Sequence, residues 1–86
     1  MNLKDKIMRL FGYENIEYIS ISREFRKTPP SEYKMHKKRL FYVRNKGLWK
    51  FLNLIVVSRY NVLLDGYTAY IIAKENNIKY VKVVRV

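Results

Sequence analysis

Apolar positions along this chain change their spacing several times, and each change marks an element. From Asn2 to Phe11, Leu3, Ile7, Leu10 and Phe11 recur at helical spacing. Asn2 stands as N-cap and Gly12 as stop, so residues 1–12 predict a short amphipathic helix whose apolar face covers the core. Glu17–Ser22 alternates instead, with Ile19 and Ile21 on one face and Tyr18, Ser20 and Ser22 on the other, and is expected to be the first strand. Arg23–Ser31 carries Pro29-Pro30, which keeps its backbone extended, and is expected to be a turn-rich connection. From Ser31 to about Lys46 the helical period returns. His36, Leu40 and Val43 form the expected inner stripe, and Lys34, Lys37, Lys38, Phe41 and Arg44 gather on the opposite face.

Gly47 is expected to cap that helix, with Trp49 following at the edge of the core. Asn53–Ser58 contains the run Leu54-Ile55-Val56-Val57, a strand buried on both faces, which Arg59-Tyr60-Asn61 turns back into Val62-Leu63-Leu64. Asp65-Gly66 breaks the second strand. Tyr67–Asn76 is helical in spacing, with Tyr67, Tyr70, Ile71 and Lys74 on one side and Ile72 and Ala73 extending the buried arc; Asn76-Asn77 ends it. In Ile78–Val86, Val81 and Val83 fall on one strand face and Tyr80, Lys82, Val84 and Val86 on the other. A strand, glycine turn, helix and strand in that order place the two strands in one sheet, parallel or near neighbours, and leave a helix N-terminus where anions can sit. The whole is a single α/β (α+β) domain: a small mixed sheet of about four strands with three helices.

Composition narrows the chemistry. The chain has 86 residues, a size that supports one modest core, and the absence of cysteine removes disulfides, thiolate zinc sites and thiol catalysis. No apolar run reaches the length of a membrane span, so a cytoplasmic location is expected. The net charge of +11 is distributed unevenly. Residues 1–22 balance three basic against three acidic groups, residues 23–50 carry a net +8, and residues 51–86 add +3. A local excess of this kind points to an anionic partner, although a solvated basic face has the same composition. His36 is the sole histidine and has no carboxylate near it in sequence, so packing is its expected role.

The ordered set Ile55-Val56-Val57, Leu64-Asp65-Gly66-Tyr67, Tyr70, Ala73-Lys74 and Val81-Lys82-Val83 resembles the ParB N-terminal-like domain of the ParB/sulfiredoxin fold, over residues 16–86. The resemblance implies that fold, here standing alone and with a degenerate ligand motif. Where ParB-type proteins have an arginine that holds a nucleoside triphosphate, three residues after the glycine, this chain has Ala69, which cannot make bidentate phosphate bonds. Where sulfiredoxins have their catalytic cysteine, it has Tyr67. Nuclease chemistry needs an acid–base or metal cluster, and Asp65 is the lone acidic residue near the junction.

These observations predict a non-enzymatic basic module without cofactor, metal or catalytic residues. It is expected to contact nucleic acid, DNA before RNA, through phosphates. Arg26, Lys27, Lys34, Lys37, Lys38, Arg44 and Lys46 would carry the affinity, with Phe41 or Tyr42 adding stacking. Asp65, Gly66, Tyr67, Thr68 and Lys74 form a weaker anion or nucleotide pocket in this reading, with Asp65 and Gly66 serving the turn first. The alternative is a small phage or mobile-element factor that binds a host nucleic-acid-handling protein; residual nucleotide-binding or nuclease activity ranks below both. The aromatic residues Phe11, Tyr13, Trp49 and Tyr60 are compatible with a dimer.

Overall fold

The structure, a computed structural model, describes residues 1–46 and 55–86. The expected glycine cap at Gly47, Trp49 and the start of the strand at Asn53-Leu54 lie outside the described residues. In chain order the elements are α1 (Leu3–Leu10), β1 (Tyr13–Asn15), a 3-10 turn (Ile16–Tyr18), α2 (Arg23–Lys27), α3 (Glu32–Arg44), β2 (Ile55–Val57), β3 (Leu63–Asp65), α4 (Tyr67–Glu75) and β4 (Tyr80–Arg85). The four strands form one mixed sheet in the order β1-β4-β2-β3. β4 runs antiparallel to β1 and parallel to β2, with Tyr13 opposite Lys82 and Ile55 opposite Val83. β3 folds back antiparallel on β2, so β3 and α4 together make the crossover that a parallel β2–β4 pair requires. The α+β class and the strand–turn–helix–strand reading of the C-terminal half are as expected, with four α-helices among the described residues where three are expected for the chain.

The core explains why these segments persist. Ile55, Val57 and Leu63 from the hairpin meet Ile72 and Ala73 of α4 and Val81 and Val83 of β4, all buried. The expected alternation of β4 is therefore the observed one. In α4 the buried set is Thr68, Ala69, Ile72 and Ala73, so the inward arc is rotated from the one expected, and Tyr67, Tyr70 and Ile71 are only half-buried. Asn77 ends this helix in the left-handed region at φ 55°, while the Asn76 side chain donates to the Ile72 carbonyl at 2.8 Å.

Three further expectations fail for identifiable reasons, apart from the orientation of α1. The first strand is Tyr13–Asn15, not Glu17–Ser22. Gly12, at φ +85°, turns the chain directly from α1 into the sheet, and the Asn15 side chain then accepts from the Glu17 amide, winding the next residues into a 3-10 turn. Ile16 and Ile19, three apart, are the buried pair, and the Ile19–Ile21 alternation survives as a single bridge of Ser20 to Val62. Second, part of the expected turn-rich connection is helical: Arg23–Lys27 forms α2. Third, α3 buries Met35, with Tyr42 half-buried below it, whereas His36, Leu40 and Val43 are exposed. The inner stripe is rotated because α3 packs on α4, where Arg39 makes a bidentate ion pair with Glu75 at 2.7 and 3.1 Å.

Helix α1 is inverted relative to its pattern. The helix begins as expected, Asn2 accepting from the Asp5 amide at 2.8 Å, yet its apolar face is exposed: Leu3, Ile7, Leu10 and Phe11 all face water, and the buried residue is Asp5. The Asp5 carboxylate accepts from Tyr80 Oη at 2.6 Å, Tyr18 Oη at 2.7 Å and Asn15 Nδ2 at 3.3 Å. One turn on, Arg9 grips buried Glu14 through two bonds of 2.7 and 2.8 Å, and Arg85 reaches the same carboxylate at 2.9 Å. Charge-assisted bonds, rather than apolar contact, thus dock this helix against β1 and β4. The hydroxyls of Tyr80 and Tyr18 hold the Asp5 carboxyl down at about 2 against the opposing effect of burial, and the Tyr80 phenol is pushed up to about 12 by the same bond.

Candidate functional site

The junction between β3 and α4 is built by a backbone that a side chain would strain. Gly66 occupies the N-cap position at φ 88°, ψ 28°, in the left-handed region that glycine enters without steric cost. Asp65 braces the turn by accepting from the Gly66 amide at 2.7 Å, so it does not cap the helix beyond. Gly66 makes no side-chain cap bond, and the first intrahelical bond is Tyr70 N–H to the Gly66 carbonyl at 2.9 Å. The amides of Tyr67, Thr68 and Ala69 are therefore first-turn donors without a side-chain cap, at the positive end of the helix dipole.

Helix α3 brings cations to that end. Lys34 and Lys38 line, together with Asp65, Gly66, Tyr67, Thr68 and Ala69, a groove of about 470 Å³ whose remaining wall is Phe25 of α2 with Thr28 and Pro30. Ser31 starts α3 at this place by accepting from the Lys34 amide at 3.2 Å, and the Phe25 ring rests 5.2 Å from the Tyr67 ring. A second groove of about 400 Å³ adjoins it, lined by Tyr33, Lys34, Lys37, Lys38 and Phe41. Lys34 and Lys38 belong to both, so the basic helix face and the Gly66 junction form one continuous surface.

Within the second groove the cations and rings are paired. Lys37 Nζ stands 5.3 Å from the centre of the Tyr33 ring and Lys38 Nζ 5.9 Å from that of Phe41. Tyr33 is 73% exposed and Phe41 37%, so both rings are available from solvent. Tyr42, the other stacking residue expected from sequence, is half-buried against the core.

The remaining sequence-derived residues are more dispersed. Arg26 and Lys27 are exposed in the last turn of α2, and Arg44 and Lys46 are exposed at the far end of α3; none of the four lines either groove. Lys74 is two turns down α4, ion-paired with Glu17 at 3.0 Å beside a separate hollow, which raises its pKa and takes it away from the Gly66 junction. Tyr33, Phe25 and Thr28 were not anticipated. Tyr33 carried a legible signal, since Tyr33, Lys37 and Phe41 are spaced four apart on one helix face. Phe25 and Thr28 carried none, because their placement depends on α2. Among the described residues no group of three or more histidines or carboxylates could hold a metal ion.

The arrangement can hold extended polyanions: ammonium groups on one side, uncapped amides on the other, and exposed rings at one end. Asp65 contributes the sole carboxylate to the lining and works against a compact, highly charged ligand at that point. No protein-family model matches the chain, and no curated protein matches it. Among solved structures, the chain is similar to that of a Pnob8-like ParB-N domain, with a TM-score of 0.67 and 27% identity over 85% of this chain. The match spans 28% of the length of that solved chain.

Proposed function

Starting from the ParB N-terminal-like fold that the protein has, we propose that it is a non-enzymatic binding module for nucleic acid, DNA before RNA, gripping the phosphate backbone along α3 and the Gly66 junction. The observation that carries this reading is the sharing of Lys34 and Lys38 by the two grooves. A separate basic face and a separate hollow would suit a solvated surface beside an inert pocket; one track lined by Lys34, Lys37 and Lys38 suits a polyanion. The like-charged neighbours Lys34, Lys37 and Lys38 repel one another at helical spacing, a cost that a polyanion relieves. Affinity of this origin falls steeply with salt, so a mobility-shift titration over rising salt is the test. Binding that weakens as salt increases supports the proposal. Failure to shift either single- or double-stranded nucleic acid at low salt sinks it, because electrostatic binding is strongest there.

A second reading, a protein partner that itself handles nucleic acid, is favoured by one observation, the exposed apolar stripe of α1. Leu3, Ile7, Leu10 and Phe11 share a face, and exposed Lys4 and Lys6 fall on its two flanks by helical geometry, so the matching surface is apolar with an acidic rim. Capture of a partner that survives nuclease treatment and is lost with Leu10→Glu supports this reading. Nucleotide binding ranks lower: Ala69 supplies no cation and Asp65 faces the same groove, although Lys34 and Lys38 line it too. Calorimetry with CTP, ATP and GTP in magnesium tests it directly.

A further inference from the structure

The two adjoining grooves have volumes of about 470 and 400 Å³, within the usual range of small-ligand clefts. Lys34 and Lys38 form the ridge between them. The outer groove differs from a plain phosphate grip because its ends are rings. Tyr33 and Phe41 lie eight residues apart on one face of α3, about 12 Å along the axis, far enough for each to meet a different base. Each ring lies beside an ammonium group, with Tyr33 largely and Phe41 about one-third exposed to solvent.

A duplex cannot use such rings, since its bases already stack on one another and present only edges to the grooves. A single strand can, because its base faces are free; stacking on protein aromatics is the recurring way such strands are held without sequence preference. Resting on the nucleic-acid reading above, we infer that this surface selects single-stranded nucleic acid. A phosphodiester sits on the Lys34–Lys38 ridge, and bases stack on Tyr33 and Phe41. Lys37, between the two rings, serves the adjacent phosphate. The lysines supply affinity for any nucleic acid, and the rings supply the preference for unpaired bases.

Fluorescence anisotropy tests this with a labelled oligothymidylate, a duplex of equal length and an abasic single strand, all at one salt concentration. Wild-type protein is expected to bind oligothymidylate at least tenfold more tightly than the duplex or the abasic strand. Stacking on a single ring is worth roughly 5- to 150-fold by truncation. Tyr33→Ala with Phe41→Ala should therefore weaken oligothymidylate binding by about tenfold or more and leave duplex binding within about twofold. Tyr33→Trp should keep the preference and show quenched fluorescence on binding. The double variant loses both ring–ammonium contacts and melts lower for that reason, so a native far-UV spectrum at the assay temperature together with retained duplex binding, rather than an unchanged Tm, separates lost stacking from lost fold. Equal affinity for all three probes, with the ring variants neutral, overturns the inference while leaving the phosphate reading standing. Absence of binding to every probe at low salt overturns both.

Discussion

Replacing Lys34, Lys37 and Lys38 together with glutamine separates affinity from stability in a way the structure makes quantitative. Each phosphate contact contributes about 0.9 to the negative slope of log K against log salt for a duplex, and about 0.7 for a single strand. Three lost contacts should flatten the slope by about 2 to 3. At 0.1 M salt the same exponent corresponds to roughly a hundredfold loss or more, shrinking toward zero near 1 M. Stability should respond differently. Lys34 with Lys37, and Lys34 with Lys38, are like-charged helical neighbours, and relieving each pair contributes about 0.2–0.5 kcal/mol. Against this, the contacts of Lys37 with Tyr33 and Lys38 with Phe41 are lost, about 0.5–1 kcal/mol each at exposed sites. The net is a destabilisation of no more than about 1.6 kcal/mol, a fall in Tm of at most roughly 6–13 °C for a domain of this size. Anisotropy titrations at four or five salt concentrations, with a melting curve for each protein, measure both quantities. A salt slope unchanged in the triple variant would refute the assignment of phosphate contact to this face. A collapse in Tm would show that these lysines act in the fold instead.

Other consequences concern the polar docking of α1 and the apolar core. The Asp5 carboxyl is held at about 2, below its ordinary 3.8, so the folded state favours its charged form. The stability it contributes is complete above pH 3.8 and is lost as pH falls from there through about 2; Tyr80, raised from 10.0 to about 12, loses its contribution as pH rises across that interval. Asp5→Asn should flatten both limbs of a Tm-versus-pH curve and return the Tyr80 phenol toward its ordinary titration, read by tyrosinate absorbance. Glu14→Ala leaves Arg9 and Arg85 without their buried acceptor; because both guanidinium groups are partly exposed and rehydrate, the expected cost is about 2–3 kcal/mol by chemical denaturation. Leu10→Ser should change stability by no more than about 0.5 kcal/mol, whereas Ile72→Ala, at a fully buried position, should cost about 2–5 kcal/mol. Equal effects of the last two would mean that α1 turns its apolar face inward.

The C-terminal half was legible because its local signals agree with its packing. Gly66 and Asn77 adopt the left-handed angles their positions required, and the Val81–Val83 alternation matches the buried face of β4. The N-terminal half was not, because its burial is decided by partners distant in sequence. Periodicity identified α1 but put Leu3 and Ile7 inside; Asp5 with Tyr80, and Glu14 with Arg85, reverse that orientation through bonds spanning 75 and 71 residues. The rotation of α3 likewise depends on a partner distant in sequence, since packing on α4 puts Met35 in the core and leaves Arg39 paired with Glu75 at the surface. For the site, charge spacing located Lys34, Lys37, Lys38 and Phe41, whereas their union with the Gly66 junction depends on the packing of α3 against α4 and on α2, which no local pattern announced.

On the proposed reading, α3 and the Gly66 junction meet one ligand as a single surface. Titration of isotopically labelled protein with a short oligonucleotide, followed by amide chemical shifts, tests it most directly. Perturbations are expected in the Lys34–Phe41 amides and in those of Gly66, Tyr67, Thr68 and Ala69, rising together with one apparent affinity. Perturbations confined to one of these two segments, or centred on α1, would contradict it.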